Sequence, residues 1–311
     1  MNQPGQPPET IMEITPLRRV AAVIAGILPL PPGAGLIVLG RPGRAALWLA
    51  AAMLAYAAIV VAPIPAMGVG LLVGVGAILD SLFVSAPRDG LPTTGRFLLM
   101  LVGFVVFGTL ARDKERQLLA TAFAAPTAAM APALLEAEPF MADLRGAAPR
   151  PGQIWVLDSE ALAARPRDFV QRVVALPGQT VALRAGVLEI DGRSVVSSET
   201  PCLSEVPGGT CVARFEEHGG VRVTAEYRRG LDCVPPFPGE ACPTGMEKRG
   251  EACVVPADHV FVLGDNRCEA DDSRRYGPVP LAALRGRGLA VYWSSKDGRP
   301  RWDRIGTRLG E

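Results

Sequence analysis

The chain has 311 residues, of which 49% are apolar and 20% charged, and its 32 lysines and arginines nearly balance its 31 acidic residues. A net charge of +1 excludes the basic surface typical of nucleic-acid-binding proteins, and the high apolar content excludes a disordered chain. Residues 1–111 carry ten charged side chains and residues 112–311 carry the other 53. This asymmetry predicts a membrane region followed by a water-soluble domain.

The N-terminal third is predicted to contain a short cytoplasmic segment and several membrane elements. Residues 1–19 are polar, and the next uncharged stretch contains the helix-breaking run Pro29-Leu-Pro-Pro-Gly-Ala-Gly35. Because such a run interrupts a helix, residues 20–40 are predicted to form an interfacial or re-entrant hairpin.

The longest uncharged stretch runs for 35 residues from Ala45 to Leu79, which is too long for one span of about 20 residues. Because Pro63-Ile64-Pro65 interrupts it, we predict spans at about 45–62 and 66–86, and a third at about 97–111. The second span carries Asp80, which is expected near the membrane interface; an ion pathway is the alternative.

Arginine positions predict the orientation of these spans. With a hairpin and three spans, one face of the membrane receives all six arginines of this region: Arg18, Arg19, Arg41, Arg44, Arg88 and Arg96. The positive-inside rule makes that face cytoplasmic and places residues 112–311 on the other side. Four full spans are the competing arrangement, and they split the arginines between the two faces.

All six cysteines lie in the C-terminal part of the chain: Cys202, Cys211, Cys233, Cys242, Cys253 and Cys268. An even number in an exported segment predicts disulfides, with 15 pairings open. A zinc site is the alternative, but the sequence contains no Cys-x-x-Cys pair and only two histidines.

Short β-type runs separated by turn residues dominate the second half of the chain. They lie at 153–157, 169–176, 180–183, 187–190, 221–225 and 259–263. The pattern predicts a mainly-β domain with partly barrel-like sheets, interrupted by a Cys-, Gly- and Pro-rich excursion at about 198–250.

One long motif in this half is specific. Gly264-Asp-Asn-Arg-Cys-Glu-Ala-Asp-Asp-Ser-Arg-Arg-Tyr-Gly-Pro-Val-Pro280 resembles the GDNRDNSxDSRxxGxVP motif of the type I signal (leader) peptidases. Arg172-Val-Val-Ala-Leu-Pro-Gly178 is similar to the RxxGLPGD segment of that family. The resemblance covers roughly residues 120–306. It implies a multi-span helical membrane region followed by a mainly-β extracytoplasmic domain, in the inner membrane of a bacterium.

The same resemblance shows that the catalytic positions are substituted. Family members use a serine nucleophile and a neutral lysine base, with donors for the oxyanion. Pro126-Thr-Ala-Ala-Met-Ala-Pro-Ala-Leu134 matches the PSxSMxPTL segment and places Ala129 at the nucleophile. The base position is Gln171, and the serine that orients the lysine is replaced by Ala270. No intact catalytic set is therefore predicted.

Other parts of the family site are retained. The resemblance assigns oxyanion donation to Thr127 and to the main-chain N–H of Ala129. It assigns the substrate cleft to four apolar residues, for which ordinary core packing is the alternative: Phe123, Pro126, Met130 and Leu134. The residues kept from the long motif are expected to shape its loop: Gly264, Asp265, Asn266, Arg267, Asp272, Ser273, Arg274 and Gly277.

Three weaker candidate sites each have a structural alternative. Thr127 could replace the nucleophile, but no base is near it in sequence. Cys268 with His259 could form a thiol nucleophile, although half of a disulfide is favoured. An acidic cluster at Glu269, Asp271 and Asp272 could bind a metal, but Asp272 is expected to pair with Arg274 or Arg267.

These observations favour a catalytically inactive membrane homologue of signal peptidase I. Its expected ligand is either an exported polypeptide or an active peptidase that acts as its partner. An active serine endopeptidase with a non-standard catalytic set is the first alternative, and a membrane scaffold is the second. The expected partners are the lipid bilayer and signal peptides of preproteins. No nucleic acid, metal or other cofactor is implied.

Overall fold

The structure is a computed structural model that describes residues 15–28, 30–60, 62–84, 94–158, 169–184, 187–202, 211–228, 237 and 241–310. The chain divides into two compact units, Met1–Leu118 and Leu119–Glu311. Most of the predicted cytoplasmic segment, Arg88 and Cys233 lie outside the described residues, as does much of the predicted excursion.

The first unit is helical. Its α-helices are α1 (Pro16–Ile27), α2 (Ala34–Val38), α3 (Pro42–Ala57), α4 (Pro63–Phe83) and α5 (Thr94–Leu118). Pro16, Pro42 and Pro63 each occupy the first turn of a helix, where the missing N–H costs no hydrogen bond. The predicted hairpin over 20–40 corresponds to α1 and α2, which a turn with left-handed Gly33 separates.

Pro63-Ile64-Pro65 was predicted as the turn between two spans, but these residues begin α4. A 3₁₀ turn at Ala58–Val60 ends the preceding helical stretch instead. Within the described residues, the segment Pro65–Phe83 is the one that is long and apolar enough to cross a membrane, and Leu98–Ala111 is a shorter apolar helix.

Asp80 on α4 forms a polar contact with α3. Its carboxylate pairs with the guanidinium of Arg44, with one nitrogen to oxygen distance of 3.0 Å, and accepts a hydrogen bond from the Trp48 indole at 2.9 Å. The side chain of Asp80 is 11% exposed. The two helices are therefore joined at this end by a hydrogen-bonded ion pair, which offsets the cost of placing a carboxylate among apolar helices.

The second unit is mainly β. Its strands are β1 (Ala120–Ala124), β2 (Pro139–Asp143), β3 (Ile154–Leu157), β4 (Phe169–Ala175), β5 (Thr180–Arg184), β6 (Val187–Ile190), β7 (Arg193–Ser194), β8 (Val196–Pro201), β9 (Cys211–His218), β10 (Val221–Arg228), β11 (Glu247–Arg249), β12 (Ala252–Val254), β13 (His259–Leu263), β14 (Val279–Pro280), β15 (Leu284–Val291), β16 (Ser295–Lys296) and β17 (Arg299–Pro300), with a short helix α6 (Ser273–Tyr276).

Among the described residues, the largest sheet has seven strands in the order β1-β2-β15-β3-β4-β13-β14. The pairs β3 with β4 and β4 with β13 are antiparallel, so β4 lies in the interior of the sheet. From Val170 to Ala175 every residue of β4 is buried, which requires packing against both faces of the strand. This arrangement holds Gln171 and Arg172 in fixed and opposite directions.

The Cys-rich excursion contains regular structure. Strands β8, β9 and β10 form a three-stranded sheet in which β9 is central, and β9 and β10 form a hairpin closed by Gly219 and Gly220. Disulfides join Cys202 to Cys211 and Cys242 to Cys253, and Cys268 is also disulfide-bonded. The prediction of disulfides is confirmed for these cysteines.

Candidate functional site

The segment after β1 carries the predicted nucleophile position. A 3₁₀ turn at Ala128–Met130 begins after Thr127, whose side chain caps the turn by accepting a hydrogen bond from the Ala129 N–H at 3.3 Å. The main-chain oxygen of Ala129 accepts a hydrogen bond from the N–H of Asn266 at 3.0 Å. The turn is therefore attached to the long motif, and of the two predicted oxyanion donors the Ala129 N–H donates to the Thr127 side chain.

The three positions that the resemblance assigns to the nucleophile, the base and the orienting serine lie around Gly264. A β-carbon placed on Gly264 would lie 2.3 Å from the Cβ of Ala270, 2.6 Å from the main-chain oxygen of Ala129 and 3.1 Å from Oε1 of Gln171. Real β-carbons do not approach other atoms this closely, so glycine is required here. Three positions that lie up to 141 residues apart in the chain therefore surround one point.

Gln171 is held by one hydrogen bond. Its amide Nε2 donates to the main-chain oxygen of Asp271 at 3.2 Å, and the residue is 1% exposed. No donor among the described residues lies within hydrogen-bonding distance of its Oε1. A buried amide oxygen without a donor costs free energy.

A cavity of about 380 Å³ opens beside these residues. It is lined by Ala125, Pro126, Thr127, Ala128, Ala129, Met130, Glu136, Phe169, Val170, Gln171, Glu269 and Asp271. Its size is in the range of small-ligand and peptide side-chain pockets. Within the described part of the chain, this lining contains no lysine, histidine or cysteine, so it offers carboxylates and one hydroxyl as its reactive groups.

The four predicted cleft residues are divided between cavity and core. Pro126 and Met130 line the cavity, and Met130, which is 1% exposed, also belongs to a core cluster with Leu134 and Phe140. Phe123 packs against the same cluster, with its ring centroid 6.2 Å from that of Phe140. Leu134 and Phe123 do not line this cavity, because Leu134 lies inside the core cluster and Phe123, which is partly buried, packs against it.

The retained residues of the long motif form buried ion pairs. Asp265 accepts two hydrogen bonds from Arg172, at 2.7 and 2.5 Å, and both side chains are almost completely buried. Asp272 caps helix α6 and accepts from the Gly264 N–H at 3.0 Å and from Arg274 at 2.6 Å. The hydroxyl of Ser273 accepts from the Val262 N–H at 3.0 Å. These bonds tie the motif to β4 and β13.

Arg267 reaches away from the cavity into a second network. Its guanidinium binds both carboxylate oxygens of Glu216, at 2.9 and 2.6 Å, and donates to the Tyr227 hydroxyl at 2.7 Å. His218 Nε2 lies 2.8 Å from the same carboxylate. Burial alone would raise the pKa of Glu216, but Arg267 and His218 lower it to about 2.

Sequence reasoning missed this network because 211–218 was not recognised as a strand. Glu216 and His218 are two residues apart and are both buried, as expected for one face of β9. The run Cys211-Val-Ala-Arg-Phe-Glu-Glu-His218 contains the β-type residues that could have revealed the strand, although two adjacent glutamates conceal its buried face.

The weaker candidate sites have other roles in the structure. Cys268 is disulfide-bonded, as favoured, so the alternative of a thiol nucleophile with His259 does not hold. His259 instead places Nδ1 2.9 Å from the main-chain oxygen of Ala257. Asp272 pairs with Arg274, as expected, and Glu269 pairs with Arg228. Of the three lysines, Lys248 and Lys296 lie on β11 and β16 and do not line the cavity.

Comparison with known proteins agrees with the motif. The family model described as "Signal peptidase, peptidase S26" matches residues 96–293. Signal peptidase I of Bacillus caldolyticus is 28% identical over 135 residues, which are 43% of this chain and 58% of that protein. Signal peptidase I of Leptolyngbya laminosa is 28% identical over 150 residues, 47% of this chain and 53% of that protein.

A third relative, signal peptidase I of Pseudomonas fluorescens, is 29% identical over 154 residues, which are 45% of this chain and 49% of that protein. The chain therefore spans about half the length of the curated relatives it matches. The family match itself covers more than half of this chain. Together with the motif from Gly264 to Pro280, this shows that the chain belongs to the signal peptidase family, peptidase S26.

Proposed function

We propose that this protein is a membrane-anchored signal peptidase homologue that binds polypeptides without cleaving them. The observation that carries the proposal is the meeting of Ala129, Gln171 and Ala270 around Gly264, beside an open cavity. The family role is cleavage of signal peptides from exported preproteins. In this chain, the positions for that chemistry carry two methyl groups and an amide.

The chemical argument rests on proton transfer. A methyl group has no lone pair with which to attack a carbonyl carbon, and an amide is neither a base nor titratable near neutral pH. In the described residues, the hydroxyl that lines the cavity belongs to Thr127, and no amine or imidazole lines the cavity with it. Loss of the nucleophile in a serine protease costs on the order of a million-fold in turnover.

The polar and apolar groups that line the cavity support binding of a peptide ligand. The Thr127 hydroxyl accepts from the Ala129 N–H at 3.3 Å, and its own hydrogen is the proposed donor to a carbonyl of a bound peptide. Pro126, Met130 and Val170 supply apolar wall. The proposed ligand is a signal peptide of an exported preprotein, or a segment of an active signal peptidase that this protein assists.

The proposed location is the inner membrane of a bacterium, with the β unit on the periplasmic side. The arrangement comprises the hairpin of α1 and α2 and three spans that include α3, α4 and the apolar part of α5. Support comes from the one-sided arginines, the apolar Pro65–Phe83 segment and the disulfides, which persist in oxidising compartments.

The test uses the full chain purified in detergent, with host signal peptidase excluded by deletion or depletion. The protein is mixed with a preprotein and, separately, with a signal-peptide probe that carries a photoreactive group. We expect no cleavage at the signal site and crosslinks to residues near Met130. Cleavage would show the inactivity proposal to be wrong, and the absence of labelling would favour the scaffold alternative.

Matched variants locate the labelling. Ala128→Trp places a large ring in the cavity, whereas Ala124→Trp adds the same ring at an exposed position of β1 that does not line it. Crosslinking is expected to fall at least about tenfold in Ala128→Trp, equivalent to about 1.4 kcal/mol, and to stay unchanged in Ala124→Trp. Equal labelling of both variants would place the bound peptide elsewhere.

A further inference from the structure

A second candidate site lies at the outer edge of the β10 strand. In the three-stranded sheet β10 has β9 on one side and no sheet strand on the other. The hairpin register pairs Val221 with His218 across the two-residue Gly219-Gly220 turn. In an antiparallel pair, alternate residues direct their main-chain groups toward the partner strand, so Arg222 and Thr224 direct theirs outward.

The rest of β10 confirms this alternation. The N–H of Glu226 donates to the main-chain oxygen of Asp265 at 2.7 Å, and its own carbonyl accepts from the Arg267 N–H at 2.9 Å. The N–H of Arg228 donates to the Cys268 sulfur at 3.2 Å. The long motif thus already occupies the outer edge at one end of β10, as a short parallel neighbour.

The other end of that edge remains open. Among the described residues, no main-chain hydrogen bond joins Arg222 or Thr224 to anything beyond the strand on its outer side. Unpaired groups of this kind are a template for a further strand. Both residues line a cavity of about 770 Å³, whose volume is in the range of ligand-binding clefts.

This cavity is predominantly basic. The charged side chains in its lining are Arg172, Arg222, Lys296, Arg301, Arg304, Arg308, Glu136 and Asp303. Two of the arginines have buried partners beyond the lining, since Arg172 pairs with Asp265 and Arg304 pairs with Glu138. The formal charge of the lining, with these two acidic partners included, is +2. The field in the cleft therefore favours anionic groups.

We propose that this cleft binds an extended, acidic polypeptide segment, which adds as a strand to the outer edge of β10 at Arg222 and Thr224. The main-chain groups supply the backbone hydrogen bonds, and the basic lining selects carboxylates on alternate residues of the ligand, which recur about every 6.6 Å along a strand. A strand edge distinguishes this ligand from a lipid headgroup, which has no main chain to pair with it. The site is separate from the proposed peptide-binding cavity, because neither Ala129 nor Gln171 lines it.

The test measures fluorescence anisotropy of a labelled peptide of alternating glutamate and threonine, titrated with the full chain in neutral detergent. A counterpart with lysine in place of glutamate is the control ligand. We expect the acidic peptide to bind at least about tenfold more tightly, with an affinity that falls as salt is added. Equal affinities for the two peptides would overturn the proposal.

Variants separate the strand edge from the charge. Thr224→Pro removes the outward N–H without touching a hydrogen bond to β9, as proline does on edge strands, and should raise Kd about tenfold. Thr224→Ala changes only the side chain and should stay within about twofold. The pair Arg222→Glu with Arg301→Glu should also raise Kd about tenfold, whereas Arg249→Glu, exposed on β11 outside the cleft, should not.

Hydrogen exchange of the wild-type protein provides a readout that needs no variant. The acidic peptide is expected to slow exchange at Arg222 and Thr224, whose amides face the open edge, and to leave the amides of β11 unchanged. Unaltered exchange at β10 would overturn the strand-addition proposal. A second result would also overturn it: the protein binds vesicles rich in anionic phospholipid, the Thr224→Pro variant binds them equally well, and neither protein binds the acidic peptide.

Discussion

The carboxylate of Glu216 and the guanidinium of Arg267 form a buried ion pair with two hydrogen bonds, at 2.9 and 2.6 Å. Arg267 belongs to the family motif, and Glu216 belongs to the hairpin of the Cys-rich excursion. Neither residue lines the cavity beside Ala129. The pair therefore connects the excursion to the loop that shapes the site, in addition to the main-chain bonds between Glu226 and that loop.

Replacing Glu216 with glutamine should destabilise the second unit strongly. The substitution keeps the shape of the side chain but leaves the buried guanidinium of Arg267 without its counter-charge, and breaking a buried pair costs about 3–5 kcal/mol. The measurement is chemical unfolding in detergent. Glu251→Gln is the control, because its pair with Arg184 is exposed and should be worth about 1 kcal/mol or less. Similar losses in both variants would contradict this.

The same carboxylate should make stability depend on pH. The pKa of Glu216 is lowered from 4.5 to about 2, despite its burial, by Arg267 and His218. A lowered pKa means that its contribution is fully present above pH 4.5 and is lost as the pH falls toward 2. The size is roughly 3 kcal/mol.

Wild type and Glu216→Gln should therefore converge in unfolding free energy between pH 5 and about pH 2. Other carboxyls with a lowered pKa, such as Glu138, Asp143 and Asp191, are present in both proteins and cancel in the difference. A difference between the two proteins that stays constant over this range would show that the charge of Glu216 is not what stabilises the fold.

Sequence patterns predicted the strands that are compact β-type runs with turn residues at their ends. The bounds of 187–190 and 259–263 agree with β6 and β13, because β-branched and apolar residues there are bounded by Asp-Gly and Pro-Ala-Asp turns. Several strands were not among the predicted runs, including β1, β2, β9 and β15. Alanine, glycine and arginine in these segments weaken the β-type sequence pattern. Pairing with strands distant in sequence, such as β15 with β2 and β3, stabilises them despite their weak local β propensity.

The candidate site shows the same division. Family resemblance identified Ala129, Gln171 and Ala270 one by one, since each lies at a defined position of a motif. Their common neighbour Gly264 was recognised as a motif residue, but its role as the contact point depends on how β4, β13 and the 3₁₀ turn at Ala128–Met130 pack. The basic cleft at β10 has no local sequence signal, because its lining comes from segments between Pro132 and Gly310.

The unpaired oxygen of Gln171 leads to a prediction about Ala270. Both groups surround Gly264, so a hydroxyl at position 270 can donate to Gln171 Oε1. Ala270→Ser should stabilise the protein by about 1 kcal/mol, the net value of a typical hydrogen bond. In a Gln171→Leu background, the same change should give no gain, because a buried serine hydroxyl would then lack this acceptor. Thermal unfolding of the four proteins of this cycle measures the coupling, and a gain of equal size in both backgrounds would contradict it.

Restoring the three substituted groups together should restore cleavage. Ala129→Ser supplies a nucleophile, Gln171→Lys supplies an amine among buried residues that lower its pKa, and Ala270→Ser supplies a hydroxyl to orient the amine. Since these positions already meet at Gly264, the triple variant should cleave a preprotein at least about a hundredfold faster than any single variant, because groups that act as a unit are not additive. The measurement is cleavage at the signal site in detergent by protein made in a host whose own peptidase is excluded.

The matched control is the double variant Gln171→Lys with Ala270→Ser, in which Ala129 is left in place. It has the base and the orienting hydroxyl but no nucleophile, and it should remain inactive. A triple variant that folds, binds the signal-peptide probe and still cleaves nothing would show that more than these three side chains separates this cleft from an active peptidase.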